Sequence, residues 1–354
     1  MRIAHIFWQV DPAFGGVEQL LVDEFRCFAT SDIHFILLGT CDPAYKERLG
    51  SNVTVHELNR KAGSGILGLI PVFFKLNILL LSIRPNLIVV HALELIRLIL
   101  LRKAPIVGHA HNMNTSFNKK MLGRYDSIIA VSEAVKEGLV CKCGADEKKV
   151  KVIYNAIDCG KFVQKEKLVK RDGPFKIVQI GRLCERVKGQ DLLLEAVAGI
   201  KGFDVDVAFI GDGEDRKKLE EKAVSLGLQD KVSFTGQLTR EDVYGKLSSY
   251  DLLVLPSRHE GLGNVLLEAM ASRLPFLCSN VDGPKELIEK SGDGYVFASE
   301  DVLDLRKKIE FLCQEYASLD MKGKLDQGFS FVHDNCDLNV MKRLLSDLYE
   351  GVLE

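Results

Sequence analysis

Short apolar runs of the β type alternate with helical stretches along most of the chain. In the first half these runs are RIAHIFW, DIHFILLG, PNLIVVHA, APIVGHAH and SIIAVS. After a break the same rhythm resumes with FKIVQIGRL, DVDVAFIGDG, KVSFTGQ, DLLVLPS and LPFLCS. Apolar strands separated by helices are typical of a parallel sheet covered on both faces. The pattern therefore predicts an α/β protein with two doubly wound, Rossmann-like domains.

The break between the two series gives the domain boundaries. A charged stretch from 165 to 174 ends in Gly-Pro and is typical of an interdomain connection. We predict a first domain over 1–165 and a second over 174–330, with a helix at 331–354 that packs back on the first. A length of 354 residues suits two domains. Because ligands of such folds bind beyond the carboxyl ends of the strands, we expect the site in a central cleft that both domains face.

Composition narrows the class of protein. Hydrophobic residues make up 47% and charged residues 27%, as in ordinary globular proteins, and the net charge of −2 gives no reason to expect nucleic acid as a partner. Nine scattered cysteines lack a zinc-site spacing, and the N-terminus does not resemble a signal peptide. We expect reduced thiols in a cytoplasmic protein. The segment 66–83 approaches the length of a membrane span, but Pro71, Lys75 and Asn77 favour a helix packed on a sheet.

Two loops in the first half are candidates for ligand contact. Gly15 and Gly16 follow the first strand and precede a helix, where backbone N–H groups can approach an anion. A tight turn explains them equally well, and the loop is not the GxGxxG fingerprint of dinucleotide-binding folds. His109 and His111 follow another strand in the stretch HAHN, and either of them is a candidate to face substrate.

Two loops in the second half carry charged residues at strand ends. Arg182 and Lys188, in GRLCERVKG, are suited to gripping a diphosphate, although surface charge is the simpler explanation for either one alone. In RHEGLGNVLLEAM, Glu260 precedes a helix and Glu268 lies within it. Eight helical residues span about 12 Å, an extent comparable to a diphosphate with a sugar on each side. One glutamate is then placed to hold hydroxyls of the transferred sugar and the other to hold those of the ribose. The backbone N–H groups between them would hold the diphosphate, from Gly261, Leu262, Gly263, Asn264 and Val265.

The acidic stretches of the second half invite a metal interpretation that we do not favour. Asp204 and Asp206 form a DxD pair, but alternation along a strand places both on one solvated face. The stretch GDGEDRKKLEE is better explained as a turn and a helix start, where acidic residues suit the helix dipole. We therefore predict no metal and no cofactor.

The motifs together resemble the retaining glycosyltransferases of the GT-B fold, in the large family-four (group 1) class. The resemblance covers nearly the whole chain and rests on GGVEQ, HAHN, AVSEAVKEGL, VIYNAIDCGKF, GRLCERVKGQDLLLEA, IGDGEDRKKLE, FTGQ and LPSRHEGLGNVLLEAMASRLPFLCSNVDGPKELI. The chain departs from the family where Arg273 and Ala156 stand in place of glycine.

The resemblance implies roles for these residues. Arg182 and Lys188 would neutralise the departing nucleotide diphosphate, Glu260 would contact the donor sugar and Glu268 the ribose. Gly15 and Gly16 would approach the phosphates, and His111, or His109, would hydrogen-bond the donor sugar. The family is similar in needing no metal, and its members retain the anomeric configuration.

The expected reaction is transfer of a hexose or N-acetylhexosamine from a nucleotide sugar, with UDP favoured by Asn264, to a glycan or lipid-linked acceptor. The expected setting is bacterial surface polysaccharide synthesis: capsule, O-antigen, lipopolysaccharide or exopolysaccharide. Two alternatives stay open: a non-hydrolysing sugar-nucleotide epimerase, and a non-catalytic partner of a glycosyltransferase. The apolar and basic segments 66–83 and LELIRLILLRKAP also allow peripheral contact with an anionic membrane at the inner face of the cell membrane.

Overall fold

The computed structural model describes residues 1–10, 15–60, 65, 67–100, 103–112, 117–168, 173–316 and 318–354. It divides into two compact units, Met1–Asn155 with Leu338–Glu354, and Ala156–Asp337. Each unit is built on one sheet in which all strands are parallel. The predicted α/β class is thereby confirmed.

The first unit has a seven-stranded sheet in the order β3-β2-β1-β4-β5-β6-β7. Its strands are β1 Arg2–Phe7, β2 Asp32–Leu37, β3 Val53–Glu57, β4 Leu87–Val90, β5 Ile106–Ala110, β6 Ser127–Ala130 and β7 Val150–Val152. Its helices are α1 Gly16–Cys27, α2 Pro43–Lys46, α3 Leu69–Ile83, α4 Lys119–Leu122, α5 Glu133–Glu137 and, from the C-terminus, α14 Leu338–Leu353. The strand order reverses between β1 and β4, which in a doubly wound sheet is the place where ligands bind.

The second unit has a six-stranded sheet in the order β10-β9-β8-β11-β12-β13. Its strands are β8 Phe175–Ile180, β9 Val205–Ile210, β10 Val232–Gly236, β11 Leu252–Leu255, β12 Phe276–Ser279 and β13 Tyr295–Phe297. Its helices are α6 Glu185–Lys188, α7 Gln190–Ala198, α8 Arg216–Ser225, α9 Arg240–Lys246, α10 Asn264–Ala271, α11 Asp282–Ser291, α12 Val302–Gln314 and α13 Leu319–Asn335. Here the order reverses between β8 and β11.

The boundaries of the units differ from those that the sequence suggested. The chain passes from one unit to the other at Asn155 and Ala156, whereas the predicted connection spans 165–174, of which 169–172 lie outside the described residues. Lys165 is buried in the second unit, where its ammonium donates to the Ser248 and Tyr250 carbonyls at 3.1 and 2.5 Å. A charged residue held by buried carbonyls is part of a packed domain, although its sequence context looks like a linker.

The C-terminal segment is divided between the units. The predicted helix 331–354 is in fact the end of α13, in the second unit, and the whole of α14, in the first. Within the first unit α14 packs on α1. The Tyr349 hydroxyl donates to Glu24 Oε1 at 2.8 Å, and the Tyr349 ring stacks on Phe28 at 5.2 Å between centroids.

The apolar segment near residue 70 forms α3, whose buried face includes Val72, Leu76 and Leu80. Ile66, where the predicted helix begins, lies outside the described residues. Phe74 and Ile78 project from the opposite face and are 59% and 66% exposed. Within the described residues, no helix combines the length and apolarity needed to span a bilayer.

Candidate functional site

In the second unit, the loops that follow β8 and β11 lie side by side, because these strands are hydrogen-bonded neighbours. The first loop carries Arg182 and leads into α6, which ends at Lys188. The second loop carries Glu260 and leads into α10. The reversal of strand order thus brings together two of the segments that the sequence singled out.

Lys188 and Glu260 are in direct contact. The Lys188 ammonium lies 2.6 Å from Glu260 Oε2, and the Ser257 hydroxyl donates to the same oxygen at 3.3 Å. The two charged side chains are only 24% and 16% exposed. A charge-assisted hydrogen bond with partial shielding from water holds both groups in fixed positions, ready to bind a polar ligand.

A glycine allows these two loops to approach each other. Gly189 ends α6 in the left-handed region, with φ of 65°, and a Cβ placed on it would lie 2.0 Å from the Pro256 carbonyl oxygen. No side chain fits there, since contacts below 3.0 Å essentially never occur for a real Cβ. The Lys188–Glu260 pair therefore depends on glycine at the position next to Lys188.

Arg258 links the second loop to α7, the helix that comes after the first loop and α6. Its guanidinium makes two hydrogen bonds of 2.8 Å to the carboxylate of Asp191 on α7, and its backbone N–H donates to the Val187 carbonyl at 2.8 Å. Burial opposes ionisation of Asp191, but the hydrogen bonds from Arg258 outweigh it and lower the pKa of that carboxyl. Sequence analysis did not single out Arg258, because its partner lies 67 residues away.

Arg182 is in a more open environment. Its Nε donates to Glu214 Oε2 at 2.9 Å, and the two side chains are 61% and 51% exposed. Glu214 comes from the loop after β9, and its pKa is lowered by its own backbone N–H and by Arg182, among other groups. Exposed pairs of this kind contribute little to stability, so Arg182 can exchange its carboxylate partner for another anion at small cost.

The entry to α10 has the geometry of a helix N-terminus reached through a left-handed glycine. Gly263 caps the helix with φ of 90°, and Asn264 is its first residue. Gly261, Asn264 and Val265 are partly exposed, whereas Leu262 and Gly263 are buried. Glu268 lies one turn further along and is partly exposed, beside buried Leu267 and Ala269. The predicted set thus occupies one continuous loop and helix start.

In the first unit, Gly15 and Gly16 are exposed at the start of α1. Residues 11–14 of the same loop lie outside the described residues. The Gly15 N–H donates to Glu18 Oε2 at 2.9 Å. This contact is part of a capping box within α1, in which a carboxylate complements the positive end of the helix dipole.

The two histidines of HAHN belong to a larger buried cluster at the reversal point of the first sheet. His109 lies in β5 and His111 directly follows that strand, while His5 lies in β1 and His91 directly follows β4. His5 Nδ1 lies 2.9 Å from His91 Nε2, and His91 Nδ1 lies 3.4 Å from His111 Nε2. Burial is the main cause that lowers the pKa of His5, to about 4, and the pKa values of His91 and His111 well below their ordinary value.

Glu24, on α1, supplies a carboxylate to this cluster. Its Oε2 lies 3.6 Å from His109 Nδ1, its Oε1 lies 3.9 Å from His5 Nδ1, and Tyr349 donates to it. Burial acts to raise the pKa of Glu24, but His109, His5 and Tyr349 together lower it to about 2. Sequence analysis missed Glu24, His5 and the pairing of His91. A histidine within an otherwise apolar strand is the signal that marks His5, whereas Glu24 lies beside other charged residues of α1 and has no such signal.

Comparison with known proteins identifies the family. The model of the family described as "Glycosyltransferase Family 4" matches residues 14–161, and the model described as "Glycosyl transferases group 1" matches residues 160–324. The chain belongs to the group 1 glycosyltransferases. Anabaena HepE, crystallised with UDP and glucose, superposes with a TM-score of 0.82 at 20% identity over 99% of this chain and 100% of that one. The structural neighbours thus confirm the predicted GT-B fold class.

Curated relatives match shorter stretches of this group 1 glycosyltransferase. A lipopolysaccharide core biosynthesis glycosyltransferase, LpsE of Rhizobium meliloti, is 32% identical over 46% of this chain and 47% of its own. An alpha-D-kanosaminyltransferase of Streptomyces kanamyceticus is 37% identical over 38% of this chain and 36% of its own. The chain therefore spans about half the length, or less, of these relatives.

Two groups of described residues in this glycosyltransferase have potential metal-ligand atoms within 4.8 Å of one another: His91 with His109 and His111, and His5 with Glu24 and His91. Metal ligands direct their lone pairs to one point. In contrast, His5, His91 and His111 direct ring nitrogens at each other. Of the DxD pair, Asp204 lies before β9 and its carboxylate binds Lys231 at 2.9 Å, whereas Asp206 lies within the strand. The absence of a metal requirement stays a prediction.

Proposed function

We propose that this group 1 glycosyltransferase moves a hexose or N-acetylhexosamine from a nucleotide sugar, a UDP-sugar by preference, to a glycan or lipid-linked acceptor. We further propose that it does so with retention and without a metal, in synthesis of a bacterial surface polysaccharide. The single observation that carries the proposal is the Lys188–Glu260 pair, 2.6 Å apart at the switch point of the second sheet. Support also comes from family membership and from the solved relative with UDP and glucose.

The pair explains how a donor can be bound by exchange of partners. A diphosphate that binds beside Lys188 gives the Lys188 ammonium a second anionic partner. Glu260 can then leave Lys188 and accept hydrogen bonds from sugar hydroxyls. Arg182 exchanges its exposed contact with Glu214 in the same way. Both cations would then stabilise the charge that develops on the leaving diphosphate.

The remaining predicted residues complete the proposed donor contacts. The N–H groups at the start of α10, from Gly261 to Val265, would face the diphosphate, and Glu268 would hold the ribose hydroxyls. Gly15, Gly16 and one of the two histidines, His111 before His109, keep the roles that the family resemblance gives them. We propose that attack occurs on the face of the leaving group, with a donor phosphate oxygen taking the acceptor proton.

The test is transfer by purified protein with a panel of UDP-, GDP- and ADP-sugars, after a thermal-shift screen has chosen the nucleotide that stabilises the native state. Lys188→Ala and Arg182→Ala should each lower the rate by about 10²–10³ while the protein stays folded. Lys217→Ala is the matched control, because Lys217 is highly exposed on α8 of the same unit. Near wild-type turnover in the Lys188 variant would refute the assignment.

The products separate the alternatives. Consumption of the nucleotide sugar only with an acceptor, giving a glycoside whose anomeric proton coupling matches the donor, supports retaining transfer. Conversion of the nucleotide sugar to its epimer without an acceptor would identify an epimerase instead. A protein that binds no nucleotide sugar, and promotes transfer only by a second enzyme, would be a non-catalytic partner.

We also propose that the exposed face of α3 rests on an anionic membrane that carries the acceptor. Phe74 and Ile78 lie on this face, and the one charged residue of the helix is Lys75. Exposed apolar side chains beside a cation are suited to the interface of an anionic bilayer. The helix is too short to span a bilayer, so contact would be peripheral.

Co-sedimentation with phosphatidylglycerol vesicles at low salt tests this contact. Ile78→Glu should weaken it by about tenfold, because both burial and charge then oppose insertion. Val224→Glu is the control, since Val224 is 63% exposed on α8 of the other unit. Recovery of the wild-type protein in the supernatant would rule out the membrane contact.

A further inference from the structure

Three histidine rings of the first unit form a hydrogen-bonded chain from the core to a partly exposed position. The His5 and His91 ring planes are within 14° of parallel, and the His91 and His111 ring planes within 18°. Their centroids lie 5.3 and 5.6 Å apart, and their nitrogens 2.9 and 3.4 Å apart. Because the centroid distances exceed the nitrogen distances by about two ring radii, the rings meet edge to edge.

The tautomers of such a chain are coupled. A neutral imidazole has one N–H donor and one acceptor nitrogen. If His5 donates from Nδ1 to His91 Nε2, His91 must carry its own proton on Nδ1 and donate to His111 Nε2. His111 then carries its proton on Nδ1. In the opposite state every proton moves to the other nitrogen, and the direction of donation is reversed along the whole chain.

Glu24 distinguishes the two states. Its carboxylate lies 3.9 Å from His5 Nδ1 and accepts a hydrogen bond from Tyr349. A carboxylate so close to this nitrogen favours a proton on it and disfavours a bare lone pair there. The lowered pKa of Glu24 supports a permanent charge at this place.

The unmet nitrogens at the two ends of the chain favour the same state. His5 Nε2 and His111 Nδ1 are both buried, and neither has a hydrogen-bond partner among the described residues. The state that Glu24 favours puts the unpaired N–H on Nδ1 of His111, a residue that is partly exposed although this nitrogen is buried. The opposite state puts it at His5, a fully buried ring beside Phe25, where no acceptor can arrive. A buried donor without an acceptor is costly, so it belongs where a ligand can satisfy it.

We propose that Glu24 is a positioning residue that acts through His5 and His91 to hold His111 as the Nδ1–H tautomer, so that His111 donates to an oxygen acceptor of the bound substrate. The identity of that acceptor, a donor-sugar hydroxyl, rests on the proposed function. The direction of the chain does not. The two can therefore fail separately.

The direct test is nitrogen NMR of the whole protein with ¹⁵N-labelled histidine. In each tautomer, the Nδ1 and Nε2 atoms of a histidine have distinct chemical shifts. Wild-type His91 and His111 should carry their protons on Nδ1. Glu24→Gln, nearly isosteric, should change the tautomer ratio at His111 on the order of tenfold, as expected when a charged partner is lost. Nε2 protonation of His111 in the wild type, or an unchanged ratio in the variant, would overturn the proposal.

Two controls distinguish an effect of the Glu24 charge, transmitted through the three histidines, from a general structural effect of the substitution. Tyr349→Phe removes one hydrogen bond to Glu24 but keeps its charge, so the His111 tautomer should persist; a change equal to that of Glu24→Gln would contradict the charge argument. The His34–His56 pair, 2.9 Å apart in the same unit, is an internal reference whose signals should not move. His91→Asn interrupts the row of hydrogen-bonded histidines, so His111 should then populate both tautomers; this variant keeps the test available even if Glu24→Gln fails to fold.

The catalytic consequence is measured apart from the tautomer. With UDP-sugar and acceptor, Glu24→Gln should lower kcat on the order of tenfold with little change in the donor KM, because the diphosphate contacts are untouched. Loss of the tautomer without an effect on transfer would leave the chain direction intact and would remove His111 from the proposed donor contacts.

Discussion

The close approach of the two strand-end loops in the second unit makes Gly189 the most informative single position. Two separate costs would arise if an alanine replaced it. The first is backbone strain, because φ is 65° and a Cβ in the left-handed region costs roughly 1–2 kcal/mol. The second is steric, because the new Cβ would lie 2.0 Å from the Pro256 carbonyl oxygen.

The steric cost follows from how far the loop must move. Contacts below 3.0 Å essentially never occur, so the Pro256 carbonyl must retreat by at least about 1 Å, the difference between 3.0 and 2.0 Å. Overpacking of this kind costs about 1–3 kcal/mol. Gly189→Ala should therefore lower the free energy of unfolding by about 2–5 kcal/mol, the sum of the two terms.

Gly227→Ala is a matched control in the same unit. Gly227 has φ of 72°, but a Cβ on it would meet no described atom within 4 Å. It should show the strain alone, offset in part by the lower entropy of the unfolded chain. Urea unfolding followed by circular dichroism gives both values, and their difference isolates the contact with Pro256.

The same substitution tests the link from packing to activity. Displacement of Pro256 moves Glu260, four residues on, away from Lys188, and a misplacement of about 1 Å in a reactive site can cost roughly 10²-fold in rate. Gly227→Ala should transfer sugar at the wild-type rate. If both variants lose equal stability and keep equal activity, the approach of the two loops is not what holds this site together.

Two further predictions concern charge. Burial lowers the pKa values of His5, His91 and His111, so these side chains bind protons on unfolding, and stability should be full above about pH 6.5 and fall toward pH 4. His5, with its pKa lowered from 6.5 to about 4, alone contributes roughly 3 kcal/mol of this loss; urea unfolding at several pH values measures it, and equal stability at pH 7.5 and 5 would contradict it. Asp191→Asn should cost about 1.5–3 kcal/mol, because it removes the charge that Arg258 binds in two hydrogen bonds. Glu300→Gln should cost under about 0.5 kcal/mol, since that exposed carboxylate lies 3.9 Å from the same guanidinium; equal urea midpoints for these two variants would refute the distinction.

The fold class was predictable because parallel strands buried on both faces are continuous apolar runs, and these alternate with helices throughout. The unit boundary was not. Local charge makes 165–174 look like a linker, whereas Lys165 is neutralised by carbonyls and Asp251 from distant parts of the second unit. Arg273 shows a signal that the sequence did contain. It stands where the family has glycine, and its φ is 53°, so the backbone keeps the conformation that favours glycine.

The candidate site was predictable in its residues but not in their pairing. Lys188 and Glu260 were assigned from the sequence to different parts of a donor, the diphosphate and the sugar. The structure shows that they first bind each other, across 72 residues of sequence. Neither an unpaired Lys188 ammonium nor an unpaired Glu260 carboxylate would be well solvated at this partly buried position. The pair therefore keeps both side chains in place until a ligand supplies a phosphate to Lys188 and hydroxyls to Glu260. Removing either partner should therefore disturb the other, and a double variant should lose less activity than the two single losses combined.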